Sequence, residues 1–213
     1  MNKLRDYAIF TNKKTGKKLV YYPVAKNANT SVKLFLTRHL GVEDKFYCIG
    51  DIPRYKQTKE MHEKFANKYN LVNFLPPYTK FNKVQADVKC CLIRDPIKRF
   101  QSSYTNRILF HKDEQFKDYS VNQILENLEA SNFENRHFLP QSYWLGDDLS
   151  YFTFYFFTNN IENFANKINN FFGQEREFPR VQTGGNNISI NLSNEQINKI
   201  KKIYASDFEL LKI

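Results

Sequence analysis

The sequence predicts an α/β fold with a mainly parallel central sheet flanked by helices, and three observations carry that expectation. Compact β-rich or apolar runs stand at 18–24, 88–93 and 151–157. Each is followed closely by a segment whose apolar residues recur at helical spacing. Gly and Pro number only 7 each in 213 residues, no internal repeat is visible, and no stretch is long or polar enough to be a linker. Residues 1–213 therefore read as a single domain.

The elements follow in order. Tyr7 to Thr11 and Lys18 to Val24 are β-rich and separated by a turn containing Gly16, which predicts a hairpin. The chain then passes through AKNANTS into a helix over Ser31 to Leu40. Val32, Phe35, Leu36 and Leu40 share one face of it, Thr30 or Ser31 is placed to cap it, and Gly41 to stop it. Phe46 to Ile49 reads as a short strand and Lys56 to Tyr69 as a polar helix with Met61 and Phe65 four apart. Val88 to Ile93 is a buried strand closed by Arg94-Asp95-Pro96, after which a helix carries Phe100, Tyr104 and Ile108 on one side. Val121 to Ala130 is helical and Tyr151 to Phe157 is the last clear strand. Ile161 to Phe172 is an amphipathic helix stopped by Gly173, and 182–190 is a loop with paired glycines. Ser193 with Gln196 forms a capping box that opens a final helix through Ile197, Ile200, Ile203 and Tyr204.

The 32 Lys and Arg against 22 Asp and Glu give a net charge of +10, which attracts anionic partners without specifying a fold. Nucleic acid, anionic lipid, an acidic glycan and a nucleotide all fit it, as does a merely well-solvated surface. The cysteines are Cys48, Cys90 and Cys91. Cys90 and Cys91 are adjacent on a strand and so point to opposite faces. Without CxxC spacing or a Cys/His cluster they read as reduced core thiols, and no metal is implied. No segment approaches the roughly 20 apolar residues of a membrane span, and the N-terminus lacks a signal-peptide stretch, so a cytoplasmic protein is expected.

Two segments carry chemistry. VAKNANTSVK, residues 24–33, joins a strand to a helix N-terminus through small polar residues, an arrangement that turns backbone N–H groups and the helix dipole on one oxyanion. Lys26 adds a mobile charge, and Thr30 and Ser31 add hydroxyls. The motif G-x-x-x-x-G-K-S/T is absent: both its glycines are missing and the lysine opens the loop, which disfavours an ATP-hydrolysing site. A well-capped loop-to-helix junction with no ligand is the alternative. CLIRDPIKRFQSSY, residues 91–104, puts Arg94 at the end of a buried strand, where ligands of parallel sheets bind, and Ser102 about two helical turns on. Arg94 offers a planar donor fork to a phosphate, or else pairs with Asp95 or a helix carboxylate. Lys98 or Arg99 can be an ordinary surface charge.

These segments resemble the sulfotransferases, within them the carbohydrate branch that includes the heparan 2-O and chondroitin/HNK-1 enzymes. Lys26, Asn27, Ala28, Asn29, Thr30 and Ser31 match that family's 5'-phosphosulfate loop. Arg94, Asp95, Pro96, Arg99, Phe100, Ser102 and Tyr104 meet every fixed position of its 3'-phosphate element, R-D/N-P-x-x-R-F/L-x-S-x-Y. HFLPQSYWLG at 137–146 is similar to its H-F/W-x-P-Q segment. TGGN, followed by Tyr204, Asp207, Phe208, Glu209 and Leu210, is similar to the branch's C-terminal ending. The sequence departs from the pattern at Val24-Ala25 and is shorter than relatives in the branch.

The resemblance implies a P-loop-like sulfotransferase fold and an enzyme that moves a sulfuryl group from 3'-phosphoadenosine-5'-phosphosulfate (PAPS) to an acceptor hydroxyl, on a carbohydrate or another hydroxyl-bearing acceptor, neutral or anionic. It implies that Lys26 and residues 27–31 hold the 5' end, that Arg94 and Ser102 hold the 3'-phosphate, and that Thr183 and Gly184 touch the nucleotide. Lys26 would stabilise the departing bridging oxygen. For the general base, His137 in the HFLPQ segment comes first and His62 second, with Glu60 or Glu63 if the base is a carboxylate. For His137 an acceptor-binding or structural role is the alternative, and His39 reads as packing. Trp144 and Tyr143 can stack on a sugar or join the core. The rival readings are a nucleotide-dependent phosphotransferase, which needs Mg²⁺ with Asp95 as its best-placed carboxylate, and a basic nucleic-acid-binding module. The scattered lysines disfavour the latter, and no oligomeric state is specified.

Overall fold

The computed structural model describes residues 4–5, 8–41, 79–80, 85–131, 135–181 and 188–213. Its centre is a four-stranded sheet in the order β2-β3-β5-β6, built from β2 (Ala8–Thr11), β3 (Lys18–Tyr22), β5 (Val88–Ile93) and β6 (Phe154–Phe157). A separate antiparallel pair joins β1 (Leu4–Arg5) to β4 (Thr79–Lys80). β2 and β3 form the expected hairpin, with Gly16 at φ 73 in its turn and the Asn12 carboxamide oxygen accepting from the Lys14 and Thr15 amides. The pairs β3–β5 and β5–β6 are parallel, with Tyr22 opposite Cys91 and Ile93 opposite Phe157. The ends of all three parallel strands therefore reach one edge of the sheet.

Both faces of this sheet are covered. Helices α1 (Asn29–His39) and α5 (Ile161–Phe172) pack on one face, where Val32, Phe35, Phe164 and Ile168 meet Leu19, Tyr21, Cys90 and Leu92. The short α4 (Gln141–Leu145) and the C-terminal α7 (Ala205–Leu211) pack on the other, against Val20, Tyr22, Cys91 and Ile93. Strand alternation thus sends the buried thiols of Cys90 and Cys91 to opposite faces, as the sequence requires. A third apolar cluster lies among α2 (Pro96–Tyr104), α3 (Val121–Glu129) and α6 (Asn194–Ile203), and holds Phe100, Tyr104 and Ile108 together.

Several local expectations change. Helix α1 begins before Ser31 and is not capped by Thr30 or Ser31. Its N-cap is Ala28, in the left-handed region at φ 55, and no side chain caps it. Ser31 lies inside the helix, where its Oγ accepts from the Val181 amide at 3.2 Å. Gly41, at φ 82, ends the helix as expected, its amide bonding to Arg38 O. Beyond Tyr104 the helix continues as a π-helical turn over Thr105–Phe110. The aromatic strand is shorter than Tyr151 to Phe157 because Leu149–Tyr151 forms a 3₁₀ turn capped by Asp148, whose carboxylate accepts from the Ser150 amide. The final helix breaks at Tyr204, whose buried hydroxyl donates to Phe138 O at 2.7 Å.

The readings at 46–49 and 56–69, with Cys48, Glu60, His62 and Glu63, and those at Thr183, Gly184, Gly185 and Asn186, lie outside the described residues. No described helix is long and apolar enough to cross a membrane.

Candidate functional site

The site lies where β3 and β5 end. From Tyr22 the chain turns through residues 25–28 into α1, with Lys26 at φ 71 and Ala28 at φ 55. Two non-glycine residues in the left-handed region make a strained, tightly curved entry whose amides lead into the open N-terminus of a helix. From Ile93 the chain passes Arg94 into α2, opened by Asp95, whose Oδ1 accepts from the Lys98 amide at 2.8 Å, with Pro96 in the first turn. The carboxylate proposed as a metal ligand is thus a helix cap.

The two junctions are tied to each other. Arg94 Nη1 donates to Lys26 O at 2.9 Å, so its guanidinium lies across the 25–28 loop rather than on Asp95 or a helix carboxylate. Arg99 is not a surface charge. It is 1% exposed, and its guanidinium donates to Ala25 O at 3.0 Å, Leu139 O at 2.7 Å and His137 O at 3.4 Å. Asn27 is fully buried, and its Nδ2 donates to Leu92 O at 2.8 Å and Gln141 Oε1 at 2.7 Å. Gln141 in turn brackets the Arg94 backbone, accepting from its N–H at 2.9 Å and donating to its C=O at 2.7 Å. The amides of Gln141 and Ser142 donate to the buried carboxylate of Asp207, each at 2.8 Å.

Cations gather around this frame. The Lys26 ammonium is pushed down from 10.5 to about 8, first by burial and then by Arg94, Arg107 and Arg99. Burial lowers Arg94 as well, with Arg99 adding to the effect and Asp95 opposing it. Arg107, from the π-helical turn, is held by Asp113 through a bidentate pair of 2.6 and 2.5 Å. A cation surrounded by cations is stabilised by any anion that enters, so the residues present fit a phosphate- or sulfate-bearing group.

The histidines divide. His137 is half-buried, its Nδ1 is buried without a partner, and its pKa is lowered to about 3 by burial and then by Arg107, Lys26, Arg136 and Arg99. In the free protein this keeps the imidazole neutral near pH 7, within the field of Lys26. His111, passed over in the sequence, is exposed; burial lowers its pKa, as do Arg107 and Lys26, while Asp113 opposes them. His39 packs, with Nδ1 against Phe35 O and Nε2 against Asn169 Oδ1. Trp144 is a core residue under the Arg136 guanidinium, 5.2 Å from its ring centroid, whereas Tyr143 is 40% exposed.

Of the other expected residues, Asn29 Oδ1 and Asn27 Oδ1 are buried without partners. Ser102 is half-buried on α2 beside Gln101, whose side chain donates to Ile190 O at 3.2 Å. The bonds Val181 to Ser31 and Gln101 to Ile190 pin the stretches flanking 182–187 to the two junctions. Sequence reasoning missed Arg107, His111, the role of Arg99, and Gln141 with Asp207. Arg99, Gln141 and Asp207 stood in the quoted motifs, so a signal existed for them. Arg107 depends on a π turn that no local pattern announces.

Comparison with known proteins adds one finding. The model of the "Sulfotransferase family" matches residues 8–212. No curated protein and no solved structure matches the chain.

Proposed function

Because the chain belongs to the sulfotransferase family, we propose that it transfers a sulfuryl group from PAPS to an acceptor hydroxyl on a carbohydrate. The observation that carries this reading is the clustering of Lys26, Arg94, Arg99 and Arg107 about two strand-to-helix junctions, with Lys26 depressed to about 8 by burial and its fellow cations. PAPS bears anions at both ends and calls for two such junctions. The carbohydrate acceptor rests on the resemblance of the motifs and on the positive charge, which suits an acidic glycan.

When bound, PAPS would supply an activated S–O bond whose electron pair would go to the nucleotide's bridging oxygen as the acceptor oxygen bonds to sulfur. Lys26 places its positive charge where that negative charge grows, and the amides of 27–31 orient the group. Ser31 accepts from Val181, which leaves its own O–H to donate. Arg94 and Ser102 hold the 3'-phosphate, with one Arg94 donor occupied by Lys26 O. Thr183 and Gly184 are the further nucleotide contacts that the motif resemblance implies. Neutral His137 accepts the proton of the acceptor hydroxyl; burial first and then the nearby cations hold its basicity down, and the anionic donor, by neutralising those cations, restores it.

Calorimetric titration with 3'-phosphoadenosine-5'-phosphate (PAP) tests the reading against AMP and ATP·Mg²⁺. PAP is expected to bind at least about 10-fold tighter than AMP, and Arg94→Ala to remove that margin, as the loss of a charge-assisted contact predicts. A preference for ATP·Mg²⁺ would instead favour a phosphotransferase. His137→Ala is expected to lower kcat by about 10²–10⁴ with PAP affinity unchanged. If only the acceptor KM rises, His137 binds the acceptor and the base lies elsewhere, with His111 the next to test.

A further inference from the structure

We propose that Gln141 is the positioning residue that holds the two anion-binding junctions in register, acting through Asn27 and Arg94 without touching the nucleotide. The nature of the ligand rests on the proposed function; the positioning role rests on geometry alone.

A parallel sheet faces a problem at the carboxyl end of its strands. Pairing of β5 with β3 ends at Cys91 and with β6 at Ile93, yet Leu92 O and the Arg94 N–H and C=O, buried or partly buried, still need partners. Asn27 takes Leu92 O, and Gln141 takes both polar groups of Arg94 through its Oε1 and Nε2. The carboxamide thus extends the ladder past the end of β5 and fixes where the Arg94 side chain departs. Its Oε1 also accepts from Asn27 Nδ2, so the same group fixes the loop that carries Lys26. Arg94 closes the circuit by donating to Lys26 O.

Gln141 is itself immobilised. It is fully buried at the start of α4, its amide donates to Asp207 of α7, and Pro140 precedes it. Segments around Asn27, Arg94 and Asp207 therefore meet at one residue, the first two through its side chain and the third through its backbone amide. A carboxylate at this position accepts but cannot donate to Arg94 O, and an apolar chain of the same length satisfies none of these groups.

The test uses Gln141→Met and Gln141→Glu in the full chain. Three measurements are made: amide hydrogen exchange of the free protein, PAP affinity by calorimetry, and the separate KM values of donor and acceptor. Exchange is expected to quicken together at residues 25–31 and 93–95 while α5 stays protected. PAP affinity is expected to fall about 10–100-fold, with the PAPS KM rising and the acceptor KM unchanged. A folded variant whose exchange in both segments matches wild type overturns the proposal, as does one that keeps PAP affinity within twofold. Should both variants fail to fold, the wild-type Gln141 side-chain amide decides. Its protons are expected to be shielded from solvent exchange and to shift when PAP binds, and rapid exchange overturns the proposal. If wild type itself does not bind PAP, the functional reading fails while the exchange data still judge Gln141.

Discussion

Lys26→Ala is expected to lower kcat by about 10²–10³-fold, the usual loss when one preorganised charge is removed from a developing anion. The pH profile gives the same residue a second signature. In the free protein Lys26 titrates near 8 instead of 10.5, chiefly through burial and secondly through the nearby arginines. Activity that needs the ammonium is therefore full below about pH 8, and kcat/KM falls as pH rises through that value. In Lys26→Arg any remaining activity should lose this alkaline limb, because a guanidinium stays charged. A limb that persists near pH 8 in Lys26→Arg, or a kcat within threefold of wild type in Lys26→Ala, would assign the role to another residue.

The same shift makes a statement about stability. Between about pH 8 and 10.5 the unfolded chain holds a proton on Lys26 that the folded chain has lost, so stability rises with pH across that window. Below pH 8 the folded state bears the full cost of a charged, partly buried ammonium. Lys26→Met should consequently raise the melting temperature at pH 7 while lowering kcat as Lys26→Ala does, a trade seen where function demands an unfavourable charge.

Arg99→Ala is expected to cost about 3–5 kcal/mol through carbonyls that lose their donor, at least about a fifth of the stability of a typical domain. The side chain is 1% exposed and serves the carbonyls of Ala25 and Leu139, which alanine leaves without this donor, and shares that of His137 with the Ser103 hydroxyl. Arg99→Lys should rescue little, since an ammonium cannot reproduce the planar fork. The neighbouring Lys98 is exposed, and Lys98→Ala should stay within about 0.5 kcal/mol. Denaturant midpoints check both. A loss below about 1 kcal/mol for Arg99→Ala would show that water replaces the guanidinium at those carbonyls.

The sheet was readable in the sequence where both sides of a strand are apolar or where a turn residue is obligatory. Val88–Ile93, the Gly16 hairpin, Ile161–Phe172 with Gly173, and the Ser193 capping box all stand where pattern put them. The start of α1 was missed because propensity looks for a side-chain cap, whereas here backbone strain at Lys26 and Ala28 sets the entry. The break at Tyr204 was missed because a helix-compatible residue is turned by a long-range bond to Phe138 O. Within the site, the loop and Arg94 were legible as charge at strand ends. Arg99 and Gln141 were not assigned roles, because their partners are backbone groups that no residue pattern identifies.

The paired thiols have a consequence for following this protein in solution. Cys90 and Cys91 sit back to back on the central strand, fully buried, and burial drives both well away from the reactive thiolate form. Pointing to opposite layers, they cannot join to each other, and no reagent reaches either without parting a sheet from its helices. Their alkylation, mapped peptide by peptide, is thus a clock built into the chain: it advances only when the central strand opens, and it reports both halves of the core at once.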